Sequence, residues 1–278
     1  MLQRELVTVG ALLSAAAARL AAVSGTARLD AELLMAHALG LGREAMLLSR
    51  MDGAAPAGFE ALIARRLAHE PVAYITGRRA FWTIELEVGP GALIPRPDSE
   101  TLIEAALERF GAAGPASVLD LGTGPGTLLL AALDQWPGAR GLGVDRSDEA
   151  LGFARRNARR LGLAGRARLR RGDWDEGLEE RFDLVLCNPP YVEAKAALPS
   201  EVADWEPPAA LYAGADGLDA HRRLAPALGR LIAPGGIACV EIGAGQAQAA
   251  GALYAAEGFA AESRADLQGV PRCLVVGR

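Results

Sequence analysis

The apolar positions of this chain change their period partway along. From Glu5 to about residue 70 they recur at helical spacing: ELVTVGALLSAAAARL, then ARLDAELLMAHALG ending on a glycine, then GREAMLLSR, then GFEALIARRLAHE before Pro71. Nothing in that stretch alternates as a strand does, so it predicts a small helical bundle. Between Phe81 and Val88 apolar and polar residues alternate, bounded by Gly77 and by Gly89-Pro90-Gly91, which predicts a hairpin connecting two domains. After Pro97, DSETLIEAALERFG carries a helical stripe with Asp98 or Ser99 as its N-cap. From SVLDL onward strands and helices alternate: a helix from about Gly126, GLGVD, a helix through ARRNARRLG, RARLRRG, FDLVLCN, a helix through LDAHRRLAPALGRLI, IACVEIG, and a last pair near FAAES and RCLVVG. That alternation predicts βαβ units in a mostly parallel sheet covered on both faces, with ligands bound at the carboxyl ends of its strands. The expected division is a bundle over 1–76, a hairpin linker over 77–97 and an α/β domain over 98–278.

Composition narrows the function classes. The chain has 278 residues, half of them apolar, enough for one large core and a smaller one. The alanine-rich opening is interrupted by Ser14 and Arg19 and lacks cleavage-site logic, and no apolar run reaches about 18 residues, so an unexported, cytoplasmic protein without membrane association is expected. Cys187, Cys239 and Cys273 are far apart within apolar runs, which predicts core thiols and neither a disulfide framework nor a metal site. A net charge of −5 disfavours a protein that coats nucleic acid along a whole face.

The candidate chemistry begins at Asp120-Leu121-Gly122-Thr123-Gly124-Pro125-Gly126, where the first strand of the α/β domain turns into a helix. Glycines spaced this closely let the backbone approach a ligand, and a helix start leaves N–H groups free. The next strand ends at Asp145, nineteen positions after Gly126, where a carboxylate can accept both ribose hydroxyls. The plainer reading makes Asp145 an N-cap, a job that Ser147 or Asp148 can also do. The glycines fall at every second position behind an acid, not as G-x-G-x-x-G. That suits a cofactor with an ammonium and no phosphates, as in S-adenosylmethionine. The third strand ends at Gly172-Asp173-Trp174, where a carboxylate and an aromatic ring can flank an adenine; Trp174 as ordinary core is the alternative.

The fourth strand stops at Asn188-Pro189-Pro190-Tyr191. Two prolines remove two N–H donors and hold the backbone extended. The Asn188 side-chain oxygen and the Pro189 carbonyl remain as a rigid pair of acceptors, suited to gripping both hydrogens of a planar –NH2. Tyr191 offers a face for a planar group. Taken alone, Asn-Pro is equally a strand-ending turn.

DLGTGPG, GVD, GDW and NPPY together resemble the signature of class I S-adenosylmethionine-dependent N-methyltransferases. PVAYITG, LIPRPDSE, EPPAALYAGADGLDAHRRL and GGIACVEIGAGQ, in that order around NPPY, narrow the resemblance to the peptide chain release factor N5-glutamine methyltransferases, the PrmC/HemK family, over nearly the whole chain. Ser99 stands where that family usually has threonine, and Pro125 where a small polar residue is common. The resemblance implies a Rossmann-like domain with a mostly parallel seven-stranded sheet. It also implies methyl transfer to the side-chain amide nitrogen of the glutamine in the Gly-Gly-Gln motif of bacterial class I release factors, with S-adenosyl-L-methionine as donor. The cofactor residues are then Asp120, Gly122, Thr123, Gly124, Pro125, Gly126, Asp145, Asp173, Trp174 and Asn188. The substrate residues are Asn188, Pro189, Pro190 and Tyr191, with Asn188 and Pro189 catalytic. The bundle is expected to recognise the release factor, and the protein to act as a monomer without stable nucleic-acid binding.

The same tetrad serves adenine-N6 methyltransferases of DNA and RNA, which would need a basic groove. Its one candidate here is the run of eight arginines from Arg155 to Arg171, a pattern that is more often a solvated face. A non-catalytic binding module would show a damaged cofactor loop, and the loop is intact. His37, His69 and His221 lie outside any catalytic pattern, so no histidine base is expected.

Overall fold

The computed structural model describes residues 8–278. Glu5–Val7, the start of the first predicted helix, lie outside the described residues. The chain forms two compact units: Met1–Gly77 with Pro199–Trp205, and Arg78–Leu198 with Glu206–Arg278.

The smaller unit carries α1 (Val9–Leu20), α2 (Ala27–Leu39), α3 (Arg43–Ser49), α4 (Phe59–Leu67) and α5 (Val72–Thr76). Thr8 caps α1 by accepting from the Ala11 N–H, and Gly40 ends α2 in the left-handed region at φ 65°. In α1, Val9, Leu13, Ala16 and Leu20 fall on one face and pack with Leu34, Met35, Met46, Phe59 and Ile63. A distant segment joins this unit through charge. Buried Arg66 forks between Asp30 of α2 at 2.8 Å and Glu201 at 2.6 Å, in the short helix Ser200–Ala203 that lies ten residues beyond the NPPY tetrad. A hydrophobic pattern carries no trace of such a partnership.

The larger unit opens with β1 (Arg78–Phe81) and β2 (Ile84–Glu87), an antiparallel hairpin. The hairpin does not stand apart as a connection: the Glu87 N–H donates to Asn157 Oδ1 at 2.7 Å, and the Trp82 N–H to Glu100 at 2.8 Å. Next come α6 (Glu100–Phe110), β3 (Ser117–Leu121), α7 (Thr127–Gln135), β4 (Arg140–Asp145), α8 (Asp148–Arg160), β5 (Ala167–Arg171) and β6 (Phe182–Cys187). After the excursion to the smaller unit, α9 being Ser200–Ala203, the chain adds α10 (Asp219–Leu231), β7 (Ile232–Glu241), α11 (Ala247–Ala256), β8 (Ala260–Ala265) and β9 (Pro271–Gly277).

Among the described residues, seven strands form one sheet in the order β5-β4-β3-β6-β7-β9-β8. The first five are parallel, and β9 inserts antiparallel between β7 and β8. This is the mostly parallel α/β architecture expected from the sequence. Buried runs such as Leu184–Cys187 and Ala238–Val240 explain the unbroken apolar strands, since helices cover both faces. Strand order reverses between β3 and β6, so the carboxyl ends of β3, β4 and β6 deliver Leu121, Asp145 and Cys187 to one edge.

Candidate active site

At that edge lies a cavity of about 480 Å³, within the range of small-molecule sites. Gly122, Gly124, Asp145, Asp173, Trp174, Asn188, Pro189 and Pro190 all line it. Its floor is the loop after β3, latched to the end of β4. The Val144 carbonyl accepts the Gly122 and Thr123 N–H groups, and Asp145 Oδ2 accepts the Gly124 N–H at 2.8 Å. Gly122 and Gly124 have φ of 73° and 56°, where an L side chain is strained, and a Cβ at Gly122 would meet no atom within 4 Å. The loop thus keeps bare backbone beside the cavity.

Asp145 does not cap α8. Ser147 does, accepting from the Ala150 N–H, while Asp145 Oδ1 accepts the Ser147 N–H at 2.9 Å. With one backbone bond on each oxygen, the carboxylate keeps a lone pair on each for a ligand. Asp173 pairs with Arg223 at 2.7 Å, and the Arg223 guanidinium sits 6.0 Å from the Trp174 ring centre, so Trp174 forms part of the cavity wall while its other side packs on the core.

Asp120 lies beneath the loop. Its Oδ2 accepts from the Thr123 hydroxyl at 2.6 Å and from the Leu129 N–H at 3.1 Å, while Oδ1 is buried with no partner. Burial pushes its carboxyl up to about 7, against those two hydrogen bonds and with the Asp145 charge adding to the rise. Asp120 does not line the large cavity. It borders a smaller one of about 40 Å³, which also touches Ser99, Thr123 and Pro125 and shares Gly122, Gly124 and Asn188 with the first. Gly126 lines neither; a Cβ there would lie 2.7 Å from Leu130, so its part is the tight start of α7. An orphaned buried acceptor beside bare backbone, with a carboxylate at the next strand end, fits the ammonium and ribose of S-adenosyl-L-methionine. A pyrophosphate finds less: the arginines lining the cavity, Arg146 and Arg223, are drawn to the Ala209 carbonyl and to Asp173.

The tetrad closes the far side. Asn188 Nδ2 donates to Ser99 Oγ at 3.0 Å, which leaves Oδ1, like the Pro189 carbonyl, without a donor from the described residues. Tyr191 lines neither cavity. Burial raises the pKa of its hydroxyl well above that of an ordinary phenol, and the charge of the nearby buried Glu241 adds to the rise. Ser99, expected as a helix cap, makes no cap bond and turns its hydroxyl inward to Glu241 at 2.5 Å. Neither Glu241 nor this use of Ser99 was apparent from the sequence; a lone acid closing the apolar strand IACVE was the one available signal.

His221 is buried in α10, its Nδ1 on the Tyr254 hydroxyl at 2.9 Å, and burial lowers its pKa to about 4. It lines no cavity. Of the eight arginines from 155 to 171, Arg156, Arg160, Arg168 and Arg171 pair with acids, and Arg166 and Arg170 are bound to main-chain carbonyls. Arg155 and Arg159 remain as exposed cations, too few to form a basic groove.

The PrmC N-terminal domain family matches residues 11–77 and a methyltransferase domain family matches residues 115–258. The chain is 46% identical to the release factor glutamine methyltransferase of Rhodospirillum rubrum, over 90% of this chain and 79% of that protein. It is 45% identical to the protein of the same name from Cereibacter sphaeroides, over 89% and 90%. A methyltransferase crystal structure from Pyrococcus furiosus shares the fold at a TM-score of 0.54 and 19% identity, over 77% of this chain and 95% of that one. On the strength of these relatives and of the two matching domain families, the chain belongs to the release factor glutamine methyltransferases, a family of class I S-adenosylmethionine-dependent enzymes.

Proposed function

We propose that the protein methylates the side-chain amide nitrogen, N5, of the glutamine in the Gly-Gly-Gln motif of bacterial class I release factors. The observation that carries the reading is the pair of free acceptors at the cavity, Asn188 Oδ1 and the Pro189 carbonyl, beside a cofactor-shaped floor. An amide nitrogen is a poor nucleophile because its lone pair is delocalised into the carbonyl. When both its hydrogens are held by acceptors, density on nitrogen rises and the positive charge of the transition state is stabilised. Asn188 and Pro189 also fix the direction in which the nitrogen points. The bound cofactor supplies an electrophilic methyl group on a sulfonium. The alkylated nitrogen becomes acidic and loses its proton without a strong base, consistent with a buried His221 that is absent from the cavity lining.

Release factor recognition falls to residues 1–76, the greater part of the smaller unit, because every residue lining the large cavity lies between Gly91 and Arg223. We further expect a cytoplasmic monomer. Among the described residues no helix is long and apolar enough to cross a membrane. The adenine-N6 alternative is disfavoured by the paired arginines of residues 155–171. Incubation with labelled S-adenosyl-L-methionine and a purified release factor, its Gln-substituted variant or duplex DNA tests the reading. Label in the intact release factor alone is expected; label in DNA and none in the factor refutes it.

A further inference from the structure

The clamp works only if the Asn188 amide faces the right way. An asparagine side chain turned by 180° occupies the same space but presents –NH2 where its oxygen stood, and donors would then face the donors of the substrate. Something must select one orientation.

We propose that Ser99 and Glu241 are positioning residues that lock the Asn188 carbonyl toward the substrate, through a one-way hydrogen-bond chain. The inference rests on the clamp reading of Asn188 and deepens it. A hydroxyl has a single proton, and Ser99 Oγ lies 2.5 Å from Glu241 Oε2 and 3.0 Å from Asn188 Nδ2. An ionised carboxylate only accepts, so the Ser99 proton is committed to Glu241. Ser99 can then only accept from Asn188, which takes the –NH2 inward and turns Oδ1 outward. Ser99 and Glu241 are each 1% exposed, so water does not substitute for either link.

The fold makes this meeting possible. β6 and β7 run parallel with Cys187 opposite Val240, which sets Asn188 level with Glu241 one residue on. Ser99 ends the turn Pro97–Ser99 that starts α6, and it arrives there instead of capping the helix.

The lock depends on the charge of Glu241. Burial pushes this carboxyl up to about 7, opposed by the Ser99 hydrogen bond and the nearby Tyr191 hydroxyl, with Asp98 adding to the rise and Arg272 resisting it. The Cys187 and Cys273 thiols, raised by their own burial, feel the same charge and stay neutral. A protonated Glu241 can donate to Ser99, which can then donate to Asn188 Oδ1 and reverse the amide.

The test measures kcat for release factor methylation, cofactor affinity by calorimetry and a pH profile at saturating cofactor. Ser99→Ala is expected to lower kcat about tenfold to a hundredfold, the scale of lost outer-shell support for a working side chain, with cofactor affinity unchanged. Ser99→Thr, which keeps the hydroxyl, restores kcat to near the unsubstituted level. Glu241→Gln, whose carbonyl still accepts from Ser99, abolishes the fall in kcat below about pH 7 that the unsubstituted protein shows. Should Ser99→Ala not fold, the Glu241→Gln profile decides. Unchanged kcat in Ser99→Ala, no rescue by Ser99→Thr, or a persisting acid limb in Glu241→Gln overturns the proposal. Asn188→Ala separates the two ideas: if it also retains turnover, the clamp itself is wrong, whereas its loss beside an active Ser99→Ala removes only the lock.

Discussion

Replacing Asp145 with alanine tests the cofactor floor most directly. The carboxylate accepts the Gly124 N–H at 2.8 Å and the Ser147 N–H at 2.9 Å, and it keeps one lone pair on each oxygen at the cavity. Two separate losses therefore follow. Without its acceptor the ribose gives up a hydrogen bond to a charged group, about 1.5 to 3 kcal/mol, which is roughly tenfold to a hundredfold in Kd. Without its anchor the Gly124 N–H loses a partner, and one of the three bonds that latch the loop to β4 is gone. That second loss appears without any ligand, as a lower thermal midpoint. Calorimetric titration with S-adenosylhomocysteine and ligand-free thermal unfolding read the two separately. Asp145→Asn, which keeps one acceptor oxygen, is expected to fall between alanine and the native residue on both measures. An unchanged Kd with a lowered midpoint refutes the ribose role and leaves Asp145 as a latch alone.

Asn188→Ala removes one of two acceptors in the clamp, and turnover should fall roughly 100- to 1000-fold, as for the loss of a single oxyanion-hole donor; Asn188→Asp keeps an acceptor oxygen and should retain more methylation than alanine, read with labelled cofactor. Asp120, raised by burial to about 7, is partly protonated near neutrality, so an arriving ammonium should drive a proton off: calorimetry at pH 7 in buffers of different ionisation heat should show proton release that Asp120→Asn abolishes. The buried carboxyls of Asp120 and Glu241 both rise from ordinary values of 3.8 and 4.5 to about 7, so the stability tied to them is complete below those ordinary values and is lost as pH rises through about 7; the ligand-free midpoint should drop between pH 5 and 8, less steeply in Asp120→Asn. A chain beginning at Gly77 should still bind cofactor by calorimetry but fail to methylate intact release factor, because it lacks residues 1–76 of the smaller unit; full activity would end that division of labour.

What was legible in the sequence was local. The period change near residue 77, the glycine loop, and the acid closing GLGVD each announce themselves within a few residues, because backbone geometry and strand-to-helix turns are set by near neighbours. The competition between Asp145 and Ser147 for the helix cap was visible but undecided, since both readings satisfy the same local chemistry; only the Gly124 N–H, 21 positions away, shows what Asp145 does instead. The insertion of β9 between β7 and β8 left no mark either, because an apolar run pairs equally well in either direction. Two further attachments are longer still. Arg66 meets Glu201 across 135 positions, and Ser99 meets Glu241 across 142. Yet they were not wholly hidden. Burying a charge or an amide at the end of an apolar strand costs too much unless it is partnered, and this chain ends an apolar strand on such a residue twice, half-buried in LVLCN and fully buried in IACVE. On adjacent parallel strands of similar register, two such residues are pressed to the same edge, where each must find a hydrogen bond. Reading them as a pair would have directed attention to whichever small hydroxyl could stand between them, and Ser99, in the segment just before α6, is that hydroxyl.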